Sequence, residues 1–142
     1  MKTPDQIQDE IIRGFLDAGD PLAQFEHLLG LSYQLPEMPE EDRTEDVLVK
    51  GCQSQVWLYV EWPEGLLNIR GESDTLMVRG VINMYKAMFD GRSPQDVLSC
   101  KIRFVDETDM AAIFDPSRKA GVASIFETVC ASARKQLAGE AA

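Results

Sequence analysis

The side chains with the greatest chemical reactivity are three cysteines, Cys52, Cys100 and Cys130, and a single histidine, His27. Zinc ligands usually come in close pairs such as C-x-x-C, whereas these cysteines are 48 and 30 residues apart. An odd number of cysteines also leaves one thiol over in any set of intramolecular disulfides, which favours a reduced, cytoplasmic setting. We therefore expect no metal site. Cys100 and Cys130 are predicted to be inert core residues, and His27 a satisfied or solvent-facing side chain.

Cys52 has the most unusual predicted position, in the turn between two strands. If residues 47–50 pair with residues 55–62, the tip is Gly51-Cys52-Gln53-Ser54, where glycine supplies backbone angles that tight turns require. Loops held by rigid strands commonly present reactive groups, so we expect an exposed or half-exposed thiol. The alternative is that Cys52 points inward as a small apolar residue, as most cysteines do. The residues alone leave both orientations open.

The neighbours of Cys52 limit what this thiol does by itself. A free thiol with a pKa of about 8.5 is only a few per cent thiolate at neutral pH. Gln53, Ser54 and Gln55 are neutral, and only Lys50 adds positive charge nearby. Self-sufficient cysteine enzymes lower the thiol pKa with histidine or with cations. The thiol of Cys52 is therefore suited to exchange with a sulfur atom that another protein has already activated.

Helix starts are predicted where a Ser, Thr or Asp precedes proline. The side-chain oxygen accepts hydrogen bonds from the free N–H groups of the first turn, and proline at the first helical position loses no hydrogen bond. The four dipeptides are Thr3-Pro4, Asp20-Pro21, Ser93-Pro94 and Asp115-Pro116. A further helix is predicted to begin at Ser73 or Asp74 and to end at Asp90-Gly91, because apolar residues recur there at helical spacing.

In the middle of the chain the apolar residues alternate with a period of two, which is typical of strands. Val56, Leu58 and Val60 share one face of a predicted strand that is rich in aromatic and β-branched residues. Residues 47–50 before it and residues 67–71 after it are the other strand candidates. The sequence therefore predicts a single α+β domain over residues 1–142, with a three-stranded antiparallel β-meander packed against N- and C-terminal helices.

The charge balance excludes several classes of function. The 142 residues include 14 Lys+Arg against 24 Asp+Glu, a formal net charge of −10. Binding to a nucleic-acid backbone or to an anionic membrane surface needs a cationic face. No apolar run is longer than that of residues 56–60, which is far short of the roughly 20 residues of a membrane span. Residues 1–10 also lack the apolar core of a signal peptide. We expect a soluble cytoplasmic protein that binds neither nucleic acid nor membrane.

The heptapeptide from Gly51 to Trp57, GCQSQVW, strongly resembles the active-site signature of the SufE family of sulfur-acceptor proteins. Companion motifs of that family occur in the same order over residues 29–121. They are Leu29-Gly30, Pro36, Glu41-Asp42-Arg43, Gly71-Glu72-Ser73-Asp74, Val78-Arg79-Gly80, Pro94-Gln95-Asp96 and Pro116-Ser117-Arg118 with Gly121. The chain departs from the family at Glu72 and Thr75, where Asp and Ala are common, and at Phe114-Asp115, where the family often has Leu-Ser. The resemblance implies a SufE/NifU-like fold.

The resemblance implies that this protein works with a pyridoxal-phosphate-dependent cysteine desulfurase of the SufS/CsdA type. In that family the desulfurase takes sulfur from free cysteine and holds it as a persulfide, and the acceptor's cysteine, here Cys52, takes over the outer sulfur. The acceptor stimulates the desulfurase and passes the sulfur to a SufBCD-like scaffold complex that assembles iron–sulfur clusters. The pyridoxal phosphate belongs to the desulfurase, so no cofactor is expected here. A sulfur-transfer accessory protein is expected rather than a stand-alone enzyme, as a monomer or weak homodimer.

The resemblance also implies supporting roles for residues around Cys52, either in shaping its loop or in binding the partner. These residues are Gly51, Gln53, Ser54, Gln55, Asp74 and Arg118. For Asp74 the alternative is a helix N-cap or a first-turn acid. Arg118 falls in the first turn of the last helix, where positive charge is mildly unfavourable, so we expect it to contact a carboxylate or a turn.

Three other functions remain as alternatives. A U-type iron–sulfur cluster scaffold needs several convergent ligands, for which this chain offers little convincing spacing. A rhodanese-like sulfurtransferase also carries a cysteine persulfide, but normally surrounds the sulfur with backbone N–H donors and cations, whereas Gly51 to Gln55 carry no charge. The third alternative is an acidic adaptor without thiol chemistry.

Overall fold

Two helices, a β-hairpin and four further helices follow one another along the chain. The computed structural model describes residues 2–141. The helices are α1 (Pro4–Ala18), α2 (Pro21–Ser32), α3 (Leu76–Phe89), α4 (Pro94–Leu98), α5 (Met110–Ile113) and α6 (Pro116–Ala141). The strands are β1 (Val56–Glu61) and β2 (Asn68–Ser73), and short 3-10 turns lie at Glu40–Asp42, Glu45–Val47 and Pro63–Gly65. The fold is therefore α+β, and no helix within residues 2–141 is long and apolar enough to span a bilayer.

The four helix starts predicted from proline are confirmed. Thr3 Oγ1 accepts a hydrogen bond from Gln6 N at 3.1 Å, and Gln6 Oε1 accepts one from Thr3 N at 2.9 Å, which completes a capping box. Asp20, Ser93 and Asp115 each accept from the backbone N–H three residues further on. These bonds satisfy N–H groups that have no partner inside the helix, and they set where α1, α2, α4 and α6 begin.

The predicted third strand, residues 47–50, is wrong. Glu45–Val47 forms a 3-10 turn, and Leu48 makes only an isolated bridge to Trp57. The pairing goes no further because the chain turns at Gly51, whose φ is +89°. Over residues 2–141 the sheet consequently has two strands, β1 and β2.

The predicted start of α3 at Ser73 or Asp74 is also wrong. β1 and β2 pair antiparallel with Val56 opposite Ser73, so β2 runs past its predicted end, and α3 begins only at Leu76. The backbone stays extended because Asp74 N donates to Gln55 O at 3.3 Å, which continues the hydrogen bonding between the strands. The junction between β2 and α3 therefore lies against the end of the loop that contains Cys52.

Helix α3 lies at the centre of the core, in contact with α1, α2, β2 and α6. Gly80 of α3 approaches α2 so closely that a Cβ atom there would lie 2.7 Å from the carbonyl oxygen of Leu28. On the other side, the hydroxyl of buried Tyr85 donates to Val122 O of α6 at 3.0 Å. This packing fixes the first turns of α6 beside the hairpin, where they form one wall of the candidate site.

Candidate functional site

The loop of residues 50–55, here named the Cys52 loop, owes its shape to Gly51. The φ of Gly51 is +89°, a conformation that residues with a Cβ atom rarely adopt. A Cβ atom at this position would also lie 2.7 Å from Ser124 Oγ on α6. Only glycine satisfies both conditions, and it lets the loop turn closely against α6.

Cys52 is half-buried at this turn, with its side chain facing α6. Its Sγ donates a hydrogen bond to the carbonyl oxygen of Gly121, at 3.6 Å. Beside it lies a small pocket of about 60 Å³ whose lining comes from the loop, β1, α3 and α6: Cys52, Gln53, Ser54, Val56, Val78, Ser117, Arg118, Gly121 and Ile125. The structure thus combines the two orientations left open by the sequence, because the residue is half-exposed while its sulfur points inward.

Burial raises the pKa of the Cys52 thiol above its ordinary value, because removing water disfavours the thiolate. The hydrogen bond to Gly121 O acts in the same direction, since only the protonated thiol has a proton to donate. The thiolate is the nucleophile in sulfur chemistry. In this position the thiolate fraction of Cys52 is therefore lower than that of a free cysteine.

Hydrogen bonds tie the C-terminal part of the Cys52 loop to the junction between β2 and α3. Ser73 Oγ donates to Gln55 O at 2.8 Å, and Gln55 N donates to Asp74 Oδ1 at 3.1 Å. Thr75 Oγ1 donates to Ser54 Oγ at 2.7 Å. The alternative that Asp74 is an N-cap or first-turn acid is wrong, because the N-cap of α3 is Thr75. Asp74 instead accepts from the loop backbone while its side chain remains exposed.

Arg118 lies in the first turn of α6 and lines the pocket. Its guanidinium pairs with Asp115 Oδ2 at 3.3 Å, and its backbone N donates to Asp115 Oδ1 at 2.8 Å. This agrees with the expected contact to a carboxylate. The Arg118 side chain is nevertheless 41% exposed, so the guanidinium also presents positive charge at the mouth of the pocket, next to the exposed residue Gln53.

Behind the junction lies a buried charged group whose role the sequence did not indicate. The Glu72 side chain is only 4% exposed. It accepts from Ser73 N at 2.9 Å and from Met38 N at 3.3 Å, and it pairs with Arg79 and, at 3.6 Å, with Arg43. Burial acts to raise the pKa of Glu72, but Arg79 and the two backbone donors outweigh it and hold the pKa below its usual value. The only sequence signal was the motif that contains Glu72, since no spacing rule connects it to the arginines.

The other candidate ligands lie elsewhere. Cys100 is half-buried and Cys130 is buried, and burial raises the pKa of both thiols, that of Cys100 to about 11. His27 is half-buried with its ring 4.6 Å from that of Phe15, edge to face. In the part of the chain that the structure describes, no group of three or more His, Cys, Asp or Glu side chains is arranged to hold a metal ion.

Comparison with known proteins identifies the fold and the family of the chain. The chain has the fold of a protein from Thermus thermophilus whose solution structure is described as that of a hypothetical protein, with a TM-score of 0.76 and 19% identity, over 97% of this chain and 99% of that one. At this identity the likeness concerns the fold alone. The family model of SufE, described as an Fe-S metabolism associated domain, matches residues 9–133. The match covers most of the chain and includes every residue of the Cys52 pocket, and the chain therefore belongs to the SufE family.

Proposed function

We propose that this protein accepts a sulfur atom on Cys52 from the persulfide of a pyridoxal-phosphate-dependent cysteine desulfurase and carries it to iron–sulfur cluster assembly. The observation that supports this most directly is the position of Cys52. It is the one cysteine of the three that lies in a glycine-shaped loop beside a pocket with a partly exposed cation. Membership of a family associated with Fe-S metabolism agrees with that role.

The proposed reaction is an exchange between sulfur atoms and needs no outside oxidant. The Cys52 thiolate attacks the outer sulfur of the desulfurase persulfide, so that a new S–S bond forms as the old one breaks. The desulfurase cysteine leaves as a thiolate and takes up a proton, which balances the proton that Cys52 gives up. Cys52 then carries the persulfide. The pyridoxal phosphate acts earlier, on the desulfurase, and is not a cofactor of this chain.

The raised pKa of Cys52 implies that docking activates the thiol. While Sγ donates to Gly121 O, the thiol is protonated and faces away from any partner. A partner that draws the Cys52 loop away from α6 removes both the burial and this hydrogen bond, and the thiol pKa falls. Arg118 lines the same pocket and is partly exposed, so its charge is available to a docked partner. We therefore assign Arg118, Asp74 and Gln53 to partner binding and loop control rather than to bond-making.

The test is intact-mass spectrometry after incubation with a pyridoxal-phosphate-dependent cysteine desulfurase and cysteine. A persulfide adds about 32 Da, and the adduct is expected on Cys52. Cys52→Ser should abolish both the adduct and any stimulation of the desulfurase, whereas Cys100→Ser and Cys130→Ser serve as matched controls and should keep both. An adduct on another cysteine, or none with several desulfurases, would contradict the proposal.

Two further assays separate the alternatives. Stable iron–sulfur cluster formation on the purified chain would favour a U-type scaffold, and thiosulfate-to-cyanide transfer without any partner would favour a rhodanese-like enzyme. Neither is expected. We place the reaction in the cytoplasm, where the thiol of Cys52 stays reduced between cycles.

A further inference from the structure

We propose that Tyr33 and Leu76, together with the cleft beside them, form the surface on which the cysteine desulfurase docks. The cleft has a volume of about 510 Å³ and is lined by Tyr33, Leu35, Glu37, Arg43, Glu72, Ser73 and Arg79. We call this cleft with Leu76 the Tyr33–Leu76 surface. The inference rests on the proposed function and names the surface that recognises the partner.

Tyr33 and Leu76 are large hydrophobic side chains that are exposed to solvent. Tyr33 is 72% exposed and Leu76 is 43% exposed. Single exposed apolar residues are common on protein surfaces and by themselves need no explanation. What distinguishes these two is that each lies next to residues that hold the Cys52 loop.

Leu76 lies in the chain between a residue that contacts the Cys52 loop and one that lines the Cys52 pocket. It is the first residue of α3, directly after Thr75, whose hydroxyl donates to Ser54 of the loop at 2.7 Å. Two residues further on, Val78 lines the pocket itself. A partner that covers the Cys52 loop from this side therefore contacts Leu76.

Tyr33 reaches the same region from α2. It follows the last residue of that helix, Ser32, whose carbonyl accepts a hydrogen bond from Arg79 Nε at 3.3 Å. The end of α2 is thus joined to the first turn of α3. The cleft beside Tyr33 includes Ser73, whose hydroxyl donates to Gln55 O at the end of the loop. The cleft and the Cys52 pocket therefore lie on the two sides of the same junction.

The chemistry of the cleft indicates what it accepts. Its two cations, Arg43 and Arg79, are matched by two anions, Glu37 and Glu72, so the lining has no formal net charge. Arg79 and Glu72 are paired with each other. The cleft is polar but has no formal net charge, so it does not favour a basic or an acidic segment of the partner. The apolar contacts come from the exposed side chains of Tyr33 and Leu76, and aromatic side chains such as tyrosine are common in the hot spots of interfaces.

The position of this surface beside the Cys52 loop assigns it to the desulfurase, because the proposed sulfur transfer brings that partner to Cys52. A standard interface buries about 800 Å² on each partner, which as a disc has a radius of about 16 Å. Sulfur exchange needs the partner's persulfide in contact with Cys52, so the interface must include Cys52. An interface of this size also covers the surface around the Cys52 loop. Tyr33 and Leu76 are exposed next to elements that hold the Cys52 loop, and they supply the apolar part that this interface needs.

The test compares Leu76→Ala and Tyr33→Ala with Leu66→Ala. Leu66 is the matched control, because it is 45% exposed and lies in the turn before β2, at the other end of the hairpin. Sulfur transfer is measured at increasing concentrations of this protein with a fixed amount of desulfurase. Loss of a hot-spot side chain raises KM by about 5- to 30-fold. We expect that increase for Leu76→Ala and Tyr33→Ala with kcat nearly unchanged, and no change for Leu66→Ala.

The alkylation rate of Cys52 without the partner separates docking from loop effects. It should stay at the wild-type value in Tyr33→Ala, because the hydrogen bonds that hold the loop are made by other residues. If wild type accepts sulfur but both variants have the KM of Leu66→Ala, the docking surface is wrong and the proposed function stands. If no sulfur reaches wild-type Cys52, the mass assay reveals that first, and both proposals fall. Loss of self-association in sedimentation with an unchanged KM would assign the surface to a second copy of this chain, and would also overturn the inference.

Discussion

Replacing Glu72 with glutamine should lower the free energy of unfolding by about 2–4 kcal/mol. The substitution keeps the shape of the side chain but removes its charge, and the side chains of Glu72 and Arg79 are only 4% and 15% exposed. Removing one partner of a buried ion pair costs about 3–5 kcal/mol. We expect a smaller loss of unfolding free energy for Glu72→Gln, because Arg79 still donates to the carbonyl oxygens of Ser32 and Leu35.

Urea unfolding at pH 7 measures this loss, and the chain supplies a close control. Glu61→Gln makes the same chemical change at the other end of the hairpin, where Glu61 pairs with Arg70 and is 45% exposed. Exposed ion pairs contribute only about 0.2–1 kcal/mol, so this control should lose no more than that. Equal losses in the two variants would refute the view that burial makes the Glu72 network strong.

The pH dependence gives a second check on the same reasoning. The pKa of Glu72 is lower in the folded protein than in the unfolded chain. Its stabilising contribution is therefore fully present above the unfolded pKa, about 4.3, and is lost as the pH falls through the folded pKa. The difference in stability between wild type and Glu72→Gln should shrink below about pH 4. An unchanged difference at about pH 3 would contradict an ionised Glu72.

Two further predictions concern the Cys52 loop. Gly51→Ala should lower the free energy of unfolding by about 1–3 kcal/mol in urea, because the φ of +89° is strained for alanine and the new Cβ meets Ser124 Oγ. Adding Ser124→Ala should recover part of that loss. Wild-type stability in Gly51→Ala would contradict the loop geometry. Because burial raises the pKa of Cys52, its iodoacetamide alkylation rate, measured in the Cys100→Ser/Cys130→Ser background, should rise about tenfold per pH unit from about pH 7 to 9. A plateau reached below about pH 8 would show instead that the thiol is activated at rest.

The parts of the fold that the sequence predicts well are those set by neighbouring residues. A cap such as Thr3 with Gln6 acts over three residues, and the β-hairpin follows from alternation within a few residues on either side of a turn. The third strand failed for the converse reason. Residues 47–50 have the composition of a strand, but Gly51 turns the chain against Ser124 of a distant helix, and strand composition contains no information about that contact.

The candidate site shows the same division between local and distant causes. The sequence points to Cys52 through its turn and through the GCQSQVW motif. Burial raises its pKa, and its sulfur donates a hydrogen bond to Gly121, which belongs to a helix far along the chain. Glu72 was missed because its donors come from Met38 and from Arg79, on opposite sides of it in the sequence. Pairings of this kind are decided when whole elements pack, so periodicity and propensity do not predict them.

The contact between Cys52 and α6 has a consequence for the newly made chain. Cys52 and Gly121 are 69 residues apart, and a ribosome adding about 5–20 residues per second takes roughly 3–14 s to synthesise that interval. Until α6 has been made, the hairpin cannot pack against it, and the thiol lacks the burial and the hydrogen bond that α6 provides. Synthesis is therefore a period in which this cysteine lacks its shield, because α6 is made after the hairpin.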